Sequence, residues 1–144
     1  MGGKVDARLI PVRFMLTMGH LIVTLCIFDT MEDNVVATVD DGVAATDAQK
    51  ESVRSDIRMV LVLSLVCFAF DFLGMFGGFS IFFQAVNLLH IVLHFFGGCW
   101  NAWFIVYEWQ YQHLYNSWVC FNLIPALAEI GVLVSIFVLK VVPF

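Results

Sequence analysis

The chain has 144 residues, 61% of them hydrophobic and only 13% charged, with a mean hydropathy of +0.91 and a formal net charge of −5. Soluble domains carry about 25% charged residues, so this composition excludes an ordinary water-soluble enzyme domain and points to a one-domain integral membrane protein. Eight of the twelve acidic residues lie between Asp29 and Asp56, and no basic stripe accompanies them, which argues against nucleic acid as a partner.

Four apolar segments follow in chain order, at roughly 9–28, 57–78, 85–107 and 117–142. Each is near the ~20 residues needed to cross ~30 Å of hydrocarbon. The first is preceded by Lys4, Arg8 and Arg13, which would also suit the n-region of a signal peptide. No A-x-A-like cleavage site follows Phe28, so it reads as a retained span. Residues 29–56 then read as the one sizeable loop, and an acidic one. Within it, Thr46-Asp-Ala-Gln49 has the form of a capping box and predicts a helix running from there into the second span. Lys50 and Arg54 are placed to pair with Asp47 and Glu51 on its surface.

The second link, around Gly77-Gly78-Phe79-Ser80, is uncharged and predicts a tight turn joining spans two and three as an antiparallel hairpin. Trp100, Trp103, Tyr107, Trp109, Tyr111, Tyr115 and Trp118 crowd the link between spans three and four, as an interfacial aromatic belt does. Phe79, Phe82 and Phe83, and Phe95, Phe96 and Phe104, read as lipid-facing groups able to dock neighbouring spans. Cys26, Cys67, Cys99 and Cys120 lie in or beside apolar runs without a C-x-x-C spacing and read as small packing residues. The fold expected is therefore an all-α polytopic four-helix bundle. An even span count puts both ends on one face. Lys4, Arg8, Arg13 and Lys140 on that face, against Lys50, Arg54 and Arg58 on the other, favour N-in/C-in.

Polar residues recur within the spans at helical spacing. They are Arg13, Thr17, His20 and Thr24 in the first; Ser64, Cys67, Asp71, Gly74 and Gly78 in the second; Asn87, His90, His94, Gly97 and Asn101 in the third; and Asn122, with Pro125 or Ala126, and Glu129 in the fourth. Each set falls on one helix face, which must turn away from lipid. Gly74, Gly78 and Gly97 are candidate helix-packing positions, since small residues let backbones approach closely. With a rise of ~1.5 Å per residue, Asp71 and His94 lie ~20 Å below the outer span ends, Glu129 ~18 Å and His20 ~12 Å. These four predict a buried polar cluster that holds the helices in register. The sharper alternatives are haem or metal ligation by His20, His90 and His94, or proton handling. No nucleotide-binding loop, nucleophile elbow or H-E-x-x-H occurs, so no catalytic, cofactor or metal residue is assigned and the chain reads as a non-enzyme.

An ordered set of features resembles one family. It comprises Ile10-Pro11-Val12-Arg13-Phe14 and His20; Asp56-Ile57 at the second span with an acid in its later half; His94; Trp109; LIPALAEI with Pro125 and Glu129; and FVLKVVPF with Lys140, Pro143 and Phe144. Together these resemble the transmembrane protein 107 family over essentially the whole chain. The acidic loop diverges, and Val141 and Val142 stand where more basic residues would be expected. The resemblance implies a four-span, non-enzymatic scaffold or gate subunit of the ciliary transition zone, working in its Meckel-syndrome module. It further implies support for ciliogenesis, ciliary membrane composition and Hedgehog signalling, with no cofactor. Implied partners are other transition-zone membrane and scaffold proteins and membrane lipid.

Overall fold

The structure is a computed structural model that describes residues 3–39 and 46–139, with side chains from Arg8 onward. Lys140 and the terminal Pro143-Phe144, which the sequence reading used, lie outside the described residues. The fold is all-α, with no strand among the described residues. Among the described residues, four helices are long and apolar enough to cross a membrane. In chain order they are α1 (Gly3–Val39), α2 (Asp47–Phe76), α3 (Gln84–Val106), and a fourth rod made of α4 (Tyr111–Trp118), a π-helical turn (Val119–Leu123) and α5 (Ile124–Phe137). α1 packs most extensively along α3 and, to a lesser extent, along α2.

The expected loop at 29–56 is largely helix. α1 continues to Val39 and α2 begins at Asp47. The reason is a stripe the charges conceal: Ile27, Met31 and Val35 are buried and meet Ile57, Val60 and Leu61 of α2, with Phe104 and Leu114 closing the cluster. Asp29, Glu32 and Asp33 occupy the exposed side of the same helix. Thr46 caps α2 with its side chain on the Gln49 amide at 3.3 Å, while Gln49 Oε1 accepts from the Thr46 amide at 2.9 Å, completing the expected capping box. Arg54 ties the two helices together, donating to both Glu32 oxygens at 2.7 Å as well as to Glu51. Phe104, expected to face lipid, is instead fully buried in this core, because α3 turns it toward α1 and α2.

The turn between α2 and α3 forms where expected. Gly77 donates to the Leu73 carbonyl at 2.8 Å, and the Phe79 and Ser80 amides both return to the Gly74 carbonyl. Gly78 has φ +76° and meets nothing a Cβ would strike, so its role is to make the turn rather than to pack helices. In the fourth rod, Pro125 lacks an amide hydrogen, and its ring crowds the carbonyl one turn back. The π-helical turn immediately before it takes up that misfit without ending the rod, and it rotates Asn122 into the interior.

Large apolar side chains such as Met15, Leu73, Phe76 and Phe82 are exposed on the outside of the bundle, while charged and amide groups fill much of the interior. This arrangement suits a hydrocarbon exterior. The interior divides along its length. The apolar cluster occupies the end near the α1–α2 connection, and the polar cluster occupies the end near the α2–α3 turn.

Candidate functional site

Each span supplies one buried polar face. On α1 these residues are Arg13, Thr17, His20 and Thr24. On α2 they are Ser64 and Asp71, on α3 Asn87, His90, His94 and Asn101, and on α5 Glu129. All four residues expected to form the layer are present in it, each no more than 2% exposed. His94 Nε2 stands 3.3 Å from Asp71 Oδ2, and His94 Nδ1 stands 3.1 Å from His20 Nδ1.

The layer has two further members. Arg13, counted above as a basic residue flanking the first span, is 1% exposed. One guanidinium nitrogen forms an ion pair with Glu129, and another donates to Ser80 Oγ at 2.9 Å and Asn87 Oδ1 at 2.8 Å. His90 lies between the carboxylates, with Nε2 3.2 Å from Glu129 Oε1 and Nδ1 3.9 Å from Asp71 Oδ1. The polar groups therefore form one chain, from Ser80 through Arg13, Glu129, His90, Asp71, His94 and His20. Asn101 continues it, with its amide nitrogen 3.3 Å from His20 Nε2 and 3.0 Å from Thr24 Oγ1, and its oxygen accepting from Ser117 Oγ at 2.6 Å.

Two glycines make space for this chain. A Cβ on Gly74 would collide with the Glu129 carboxylate. A Cβ on Gly97 would lie 2.7 Å from Phe121 Cβ and 2.8 Å from His20 Nε2. Phe68 closes the apolar side, stacking on His94 at 5.7 Å and meeting His20 edge-on at 5.0 Å.

The sequence did contain signals for the two added members. Arg13 heads the Thr17, His20, Thr24 face, and His90 shares a face with His94. A long side chain near a span end is also expected to reach for the interface, and that rule masked Arg13. The geometry bears on chemistry in two ways. The direct contact of His20 with His94, under Phe68, leaves no slot between them for a porphyrin. Asp71, His90 and His94 each bring a ligand-type atom to within 4.8 Å of the others, all buried.

A family model for TMEM107, a transmembrane protein, matches residues 9–133. Human transmembrane protein 107 is 28% identical over 144 residues, covering 99% of both chains. The rat protein of the same name is 26% identical over 94% of this chain and 96% of its own, and the zebrafish protein, Danio rerio, is 24% identical over 88% and 93%. No solved structure matches the chain significantly. Both Arg13, which opens the polar chain, and Glu129, which it pairs with, fall inside the matched region, and the four-span architecture agrees with a transmembrane family. The chain belongs to the transmembrane protein 107 family.

Proposed function

We propose that this chain is a non-enzymatic membrane scaffold or gate subunit of the ciliary transition zone, supporting ciliogenesis and the control of ciliary membrane protein composition. The observation that carries the proposal is family membership over nearly the whole chain. The structure supplies a compatible physical basis. A bundle whose interior is crossed by an ion pair and a histidine chain holds its helices in one register, as a scaffold requires. Most of its exposed large side chains are apolar and face lipid. Its partners are then other transmembrane segments, lipid, and proteins that meet the acidic face of the α1–α2 extension.

The test is to express the tagged chain in ciliated cells lacking their own copy and image it at high resolution. A ring at the cilium base with recovery of ciliation is expected. Label spread evenly over the plasma membrane, without recovery, overturns the reading.

A further inference from the structure

We infer that Asp71, His90 and His94 form an intramembrane binding site for a divalent transition-metal ion of the zinc type, linking α2 to α3. This goes beyond the scaffold reading and stands independently of it. Three observations converge on the site. The ligand-type atoms of these residues lie within 4.8 Å of one another and are buried. Both Asp71 oxygens, His90 Nδ1 and His94 Nε2 make no aligned hydrogen bond, although they are shut away from solvent and His94 Nε2 stands only 3.3 Å from Asp71 Oδ2. Buried polar atoms ordinarily find partners, so such a convergence of unpaired acceptors and imidazole nitrogens calls for a cation. Formal charge has the matching sign. With neutral imidazoles and both carboxylates ionised, Arg13 against Asp71 and Glu129 leaves one net negative charge in the cluster.

The donor set also selects the class of ion. Two imidazoles and a carboxylate, with no thiolate, suit zinc and its divalent neighbours rather than calcium or magnesium. The nitrogens nearest Asp71 are His90 Nδ1, at 3.9 Å from Oδ1, and His94 Nε2, at 3.3 Å from Oδ2. Bonds of about 2.0–2.1 Å in a tetrahedral set would place ligand atoms roughly 3.3 Å apart, a separation that His94 Nε2 and Asp71 Oδ2 already have and that His90 reaches by moving closer.

The outer groups are those a metal-bound histidine uses. His90 keeps Nε2 at 3.2 Å from Glu129 Oε1, which Arg13 anchors, and His94 keeps Nδ1 at 3.1 Å from His20. Such partners orient the ring and set which nitrogen carries the proton. With His94 bound through Nε2, its Nδ1–H donates to His20 Nδ1, and the proton of His20 then sits on Nε2. Asn101 answers by turning its amide through half a turn, so that oxygen rather than nitrogen faces His20, and Thr24 then gives its hydroxyl proton to that oxygen instead of to the His20 carbonyl. Loading the metal thus reorganises the chain as far as Ser117.

The test uses the full chain, purified through a tag without histidine, in nanodiscs and stripped with chelator. Zinc is added, excess is removed, and retained metal is counted by mass spectrometry. Cobalt replaces zinc for visible absorption, and zinc-edge X-ray absorption reports the ligands. About one ion per chain is expected, with imidazole scattering in the wild-type protein. Dissociation constants should rise at least tenfold in His94→Gln and Asp71→Asn, and about 10–100-fold in the outer-group variant His20→Gln. A folded wild-type chain that retains no stoichiometric metal, or retains it without imidazole ligands, overturns the site. So does equal affinity in the folded variants, which would leave the charge to be met by a proton. The X-ray measurement on wild type decides the matter if a variant fails to fold.

Discussion

Arg13 and Glu129 are separated by 116 positions and meet in the interior at 1% and 0% exposure. Removing one partner of a buried pair leaves a charge without its counterion and costs about 3–5 kcal/mol, whereas replacing both with apolar residues is often neutral or better. Glu129→Leu should therefore lower thermal stability in detergent by about that amount, and Arg13→Leu in the same background should restore most of it. Unchanged melting in the single variant, or a double variant no better than the single, would show that the pair does not hold the bundle. At this scale the sequence was informative about faces and incomplete about partners. The spacing of Asp71, His94, Glu129 and His20 gave depth and direction, because a helix repeats every 3.6 residues. It carried no information on which side chain reaches which. Hence the spacing puts Arg13 and His90 on inward polar faces without revealing that Arg13 pairs with Glu129 or that His90 bridges the two carboxylates.

The α1–α2 extension shows how charge can hide a helix. Asp29, Glu32, Asp33, Asp40 and Asp41 gave residues 29–56 the look of a loop, yet Met31 and Val35 keep the buried face going for two more turns. The capping box at Thr46, by contrast, was readable because its chemistry is local. The extension's stability rests on its apolar seam rather than its ion pairs. Ile57→Ala should cost about 2–5 kcal/mol. Arg54→Ala should cost no more than about 1 kcal/mol, since Glu32 and Glu51 are exposed to water. Hydrogen exchange of residues 30–39 reads the difference: rapid exchange in Ile57→Ala with protection retained in Arg54→Ala is expected, and the reverse order would refute the seam. The π-helical turn at Val119–Leu123 had no sequence signal beyond Pro125, because its length depends on how Pro125 is accommodated within the packed rod.

For the whole molecule, composition indicated an integral membrane protein, and four apolar segments of spanning length, each with a polar face, indicated an inside-out bundle of four spans. Orientation is a different matter. With Arg13 buried, the basic residues stand three against three: Lys4, Arg8 and Lys140 against Lys50, Arg54 and Arg58. The N-in/C-in arrangement remains our proposal, and an Asn-x-Thr acceptor placed within residues 40–45 tests it. Glycosylation in microsomes is expected; an acceptor left bare, while the same segment is cleaved by protease from the opposite side, reverses the topology.

The length of α1 has one more consequence. Between Arg13 in the polar layer and Val35 in the apolar seam the helix runs without interruption for 22 residues, about 33 Å at ~1.5 Å per residue. A lever of that kind has no slack. A protein that grips the acidic face and tilts it must also swing Arg13 against Glu129, so a pull exerted in water is felt as a torque on charges inside the bilayer.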